Sequence, residues 1–71
     1  MDCKVELKSV ERAGEKTLVR FDVEHEAVGK LEVGITVEAM SGHQAAEQGR
    51  QKLRDFAESL ARAAEDLKPH V

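Results

Sequence analysis

The stretch SGHQAAEQGRQKLRDFAESLARAAEDLK, residues 41–68, decides the fold, because it alone in the chain holds one period over many turns. Its apolar positions, Ala46, Gly49, Leu53, Phe56, Ala57, Leu60, Ala63, Ala64 and Leu67, recur at steps of three and four, which describes one amphipathic helix. Ala46, Leu53, Leu60 and Leu67 repeat every seven residues, and so do Gly49, Phe56 and Ala63, giving a heptad-like seam rich in small side chains. Glycine costs about 1 kcal/mol against alanine inside a helix, so Gly49 marks the closest approach to whatever the helix covers. The opposite face, with Glu47, Gln48, Gln51, Asp55, Glu58, Arg62 and Glu65, is polar. Ser41 suits the N-cap, its hydroxyl accepting from the N–H of Gln44 while Gln44 reaches back, a capping box over residues 41–44. Met40 and Ala45 stand where a hydrophobic staple sits. Pro69 stops the helix, with Lys68 placed at its negative end.

Toward the N-terminus the period falls to two. In residues 3–9, Val5 and Leu7 oppose Lys4, Glu6 and Lys8; in 17–25, Val19, Phe21 and Val23 oppose Arg20, Asp22 and Glu24. In 30–38, Leu31, Val33, Ile35 and Val37 oppose Lys30, Glu32, Thr36 and Glu38. Alternation with β-branched residues on one face predicts three half-buried antiparallel strands. All inward residues are odd-numbered, so the loops should hold odd counts. Arg12-Ala13-Gly14 and Ala27-Val28-Gly29, each ending in a left-handed glycine, satisfy this.

The first loop faces Val5 with Phe21, Leu7 with Val19, Lys4 with Asp22 and Glu6 with Arg20. The next allowed register, with Ala13 to Glu15 as its loop, would set Glu6 against Asp22, and like charges directly opposite are unfavourable. The second loop faces Val23 with Val33, Phe21 with Ile35 and Glu26 with Lys30. Val10 and Leu18 then fall on the charged face near the first turn, as local turn packing, unless a bulge turns Val10 inward.

The predicted fold is therefore α+β, a single β-β-β-α domain over residues 1–71. It has a three-stranded antiparallel meander of order 1-2-3 and one long C-terminal helix on its apolar face. The expected core is Val5, Leu7, Val19, Phe21, Val23, Leu31, Val33, Ile35 and Val37 against Ala46, Gly49, Leu53, Phe56 and Leu60.

Composition narrows the function. Charged residues make up 35% of the 71, yet the net charge is −3, so both signs interleave as on a solvated surface. Two Phe with no Trp or Tyr leave little to stack on bases or sugars. The outer sheet face mixes Lys4, Lys8, Arg20 and Lys30 with Glu6, Asp22, Glu24, Glu32 and Glu38, whereas phosphate binding draws on clustered positive charge. No apolar run approaches the roughly 20 residues of a membrane span, and no secretory leader follows Met1. A single cysteine excludes an internal disulfide and suits the cytoplasm.

Chemistry-bearing residues are sparse. Cys3 and His25 fall at one end of the sheet, His43 at the other, and His70 in the tail, without metal-ligand spacing. Residues 41–43 at a helix start hold the ingredients of an anion site, but the cap accounts for them. No catalytic residue, metal or cofactor is expected, and the chain reads as a non-enzyme.

Length supplies the functional expectation. A helix of some 27 residues spans roughly 40 Å, and strands of nine span roughly 30 Å, so the helix should overshoot the sheet at Ala63, Ala64 and Leu67. The third strand is an unblunted edge. These features predict a self-associating interaction module, a homodimer built through Leu60, Ala63, Ala64 and Leu67, through the strand of Val33, Ile35 and Val37, or both. The alternative is nucleic-acid or small-anion binding through the sheet face or the helix start.

Overall fold

The computed structural model describes residues 2–38 and 41–69. Three strands, β1 (Cys3–Ala13), β2 (Lys16–His25) and β3 (Gly29–Val37), form one antiparallel sheet of order 1-2-3, and one helix, α1 (Gly42–Asp66), follows. This is the α+β architecture that the change of period predicts.

Both hairpin registers differ from those the pairing argument favours. In the first, Cys3 to Leu7 face His25 to Phe21, so Val5 meets Val23 and Glu6 meets Asp22. The register then shifts between Leu7 and Ser9, and from Ser9 opposite Arg20 it runs on to Ala13 opposite Lys16. Lys8 is the extra residue of a β-bulge. The loop is Gly14-Glu15, with Gly14 at φ +66 and, among the described residues, only glycines at positive φ. A two-residue hairpin turn with glycine first matches the right-handed strand twist. Its even count breaks the parity of the inward positions, and the bulge absorbs the difference. Val10 thereby turns inward, opposite Val19.

In the second hairpin, His25 faces Gly29, Phe21 faces Val33 and Val19 faces Ile35. The turn closes on a Val28 N–H to His25 carbonyl bond of 3.2 Å, and His25 Nδ1 accepts from the N–H of Ala27 at 3.0 Å. Gly29 then takes φ +84. The resulting outer rows explain why Glu6 tolerates Asp22. Lys4, Glu24 and Lys30 align across the three strands, and Glu6, Asp22 and Glu32 form the next row. Lys8 bonds Glu32 at 2.8 Å, and Arg20 lies 3.8 Å from Glu32 and 3.6 Å from Glu11. The acidic row lies beside basic side chains along the strands, so diagonal neighbours compensate for the like charges directly opposite.

The helix begins as its sequence implies. Ser41 is extended, its Oγ accepts the Gln44 N–H at 3.2 Å, and its carbonyl accepts the Ala45 N–H at 2.9 Å. The staple residue Met40 lies outside the described residues. At the other end Leu67 is already extended, donating to Ala64 O at 3.3 Å, so the helix ends at Asp66 rather than Lys68. Pro69 disfavours helical geometry at its predecessor and brings no N–H of its own.

The core is smaller than expected. Val19, Phe21, Val37 and Ala45 are buried, with Thr17 beside them, and Ile35 and Leu53 pack against the cluster. Gly49 lies directly on the sheet: a Cβ there would meet Val19 Cγ1 at 3.0 Å and Phe21 Cε2 at 3.3 Å. Val5, Leu7, Leu31, Phe56 and Leu60 face the apolar side but stay about half exposed. The reason is width. One helix is about 10 Å across, three strands span roughly 14 Å at 4.7–4.9 Å each, and closest approach occurs at the helix's first turns alone.

A candidate interaction surface

Beyond Leu53 the helix and the sheet part, leaving an open groove of about 320 Å³. Val5, Val23, Val28, Leu31 and Val33 form its floor, with Cys3 and His25 at the end of the sheet, and Leu53, Phe56, Ala57 and Leu60 form its roof. The walls are almost wholly apolar. They were built as a core, by inward alternation on the strands and the seam on the helix, but no described residue fills the space between them.

The helical wall stops at Leu60, opposite the turn bearing Val28. Residues 61–69 continue past it, every one exposed, with Leu67 at 70%. The expected surface residues therefore fall into separate places. Leu60 and Val33 share the groove, Ala63, Ala64 and Leu67 extend it, and Ile35 and Val37 belong to the other half of the sheet. Val37 is 1% exposed, so β3 offers backbone there rather than a side chain. Phe56, Leu31, Val5 and Val28 were the residues sequence reasoning missed. Comparing the width of one helix with that of three strands is the signal that finds them.

Each sheet edge carries one local interruption. The bulge at Lys8 interrupts β1, and Lys52 reaches from the helix to the carbonyl of Thr36 on β3 at 3.4 Å. Bulges and edge lysines are devices that discourage strand addition.

The whole-molecule dimensions agree with an uncovered surface. A compact monomer of 7.8 kDa exposes about 4,400 Å²; this chain exposes 5875 Å². Its radius of gyration is 14.1 Å against about 11 Å for a compact chain of this length. The excess of about 1,500 Å² lies within what one partner contributes to an obligate dimer interface.

The chemical residues do not assemble into a centre. Cys3 and His25 are register partners at one sheet end, and Cys3 is a free, exposed thiol. His43 lies near the opposite end, beside Ala46 and a Glu47–Arg50 pair; His70 lies outside the described residues. Among the described residues, no three His, Cys, Asp or Glu side chains converge to hold a metal, and no helix is long and apolar enough to cross a membrane. On the outer face Lys8 and Arg20 are engaged by Glu32 and Glu11. Lys8 holds the Glu32 carboxyl below its ordinary value through their hydrogen bond, and Arg50 does the same to Glu47.

No protein-family model, curated protein or solved structure matches the chain.

Proposed function

We propose that this chain is a non-enzymatic interaction module that self-associates into a homodimer, with the groove and the projecting helix as its contact surface. The observation that carries this reading is the continuous apolar surface from Val5 and Leu31 through Phe56 and Leu60 to Leu67, side chains between 47% and 70% exposed. Surface left at this scale on a single chain is characteristic of an interface. A domain of this size buries only about 60% of its unfolded surface, and association is a usual remedy when disulfides and metals are lacking. The thiol of Cys3, exposed and free, fits a reducing cytoplasm.

Leu60→Glu tests the reading. Leu60 is 54% exposed in the single chain, so the substitution spares the monomer's own core. A two-fold interface contains the residue twice, each burial contributing about 1.5–3 kcal/mol. Light scattering should show the variant at the monomer mass, with association weakened at least about 100-fold. Retained association in a folded Leu60→Glu chain would show that the groove is not the contact.

A further inference from the structure

We infer that the second copy docks with its α1 antiparallel to α1 of the first, across the open groove, so that the basic middle of each helix meets the acidic end of the other. This rests on the self-association proposed above and specifies how the copies meet.

Charge is segregated along the helix. Arg50, Lys52 and Arg54 outnumber Glu47 in its first half, whereas Asp55, Glu58, Glu65 and Asp66 outnumber Arg62 in its second, with Lys68 following the helix. The last turn holds no basic side chain and the first turn no acidic one. That arrangement opposes the helix dipole, whose C-terminal end disfavours negative charge. Among the described residues no ion pair reaches Glu65 or Asp66, whereas Arg50 pairs with Glu47, and Arg54 approaches Glu58 at 3.5 Å. Lys52 has three donors and commits one, at a long 3.4 Å, to Thr36 O.

A two-fold antiparallel pairing brings Lys52 and Arg54 of each copy toward Glu65 and Asp66 of the other, twice over. A parallel pairing stacks acid on acid and base on base. Between the charged positions runs Leu60, with Ala57, Ala63 and Ala64 small enough to let two helices approach closely, and Leu67 follows them just past the helix end. The bulge at Lys8 and the Lys52 contact to Thr36 O disfavour strand addition as a competing mode. A second copy is the occupant because the surface is self-complementary in charge sense and each chain leaves over about the area such a partner covers.

Charge reversal tests the sense of pairing. The double variants Lys52→Glu with Arg54→Glu, and Glu65→Lys with Asp66→Lys, should each weaken self-association at least tenfold. The second pair complements the helix dipole, so its helix content by circular dichroism should not fall, which separates lost docking from lost folding. The quadruple variant, with all four reversals, should restore association to within about threefold of the original chain. Unchanged association in either double variant, or no recovery in the quadruple one, overturns the antiparallel pairing while wild-type self-association stands. A wild-type chain that stays monomeric in the same sedimentation series overturns the self-association reading itself.

Discussion

Gly49 is the residue on which helix and sheet agree. Alanine there would gain about 1 kcal/mol of helix propensity, but its Cβ would sit 3.0 Å from Val19 Cγ1 and 3.1 Å from Val19 Cβ. Val19 is wholly buried and cannot move aside, and overpacking of this kind costs about 1–3 kcal/mol. Gly49→Ala should therefore lower stability in denaturant unfolding by up to about 2 kcal/mol; an increase would mean the helix rides more loosely than described. The glycine's role was legible in the sequence, because only a close approach justifies it within a seam. Lys8 was not. Its bulge follows from a two-residue turn at Gly14-Glu15 that a parity argument excludes, and parity fails wherever a strand can insert one residue. Ser9, beside the bulge, buries an Oγ without a hydrogen-bond partner among the described residues, a local cost of that insertion.

At the scale of elements, alternation and the seam sufficed for three strands, their order and one helix. They could not fix registers that turn geometry sets. The like-charge rule rejected Glu6 opposite Asp22, although such an exposed pair costs only about 0.2–1 kcal/mol and rows above and below supply compensating cations. Glu32 joins that compensation across strands, and it gives the sheet a pH dependence. Its carboxyl is held below the ordinary 4.5 chiefly by the hydrogen bond from Lys8, whose own value rises through the same bond. A depressed carboxylate contributes stability above its unfolded value and loses it as pH falls through the folded one. Thermal unfolding of Glu32→Gln should thus show a shallower acid-side decline below about pH 4.5, with little change between pH 6 and 8 in that slope. An equal acid limb in both proteins would place the Lys8–Glu32 pair outside the stability of the sheet. Both side chains are nearly half exposed, so the effect is a modest one.

For the whole molecule, the decisive fact is geometric mismatch. A single helix touches the sheet closely at Ala45 and Gly49, drifts from it past Leu53, and runs on beyond Leu60 with its apolar stripe intact. The overshoot was legible from lengths alone. The groove was not, because alternation assigns residues to a face without saying whether anything covers it. Val5, Leu31 and Phe56 thus read as core when they are half exposed. We propose that a second copy supplies the missing cover. Sedimentation equilibrium from about 5 to 200 µM tests this most directly, since association is driven by concentration. The predicted result is a mass approaching twice the 7.8 kDa of the chain; a single 7.8 kDa species across the whole series would contradict it.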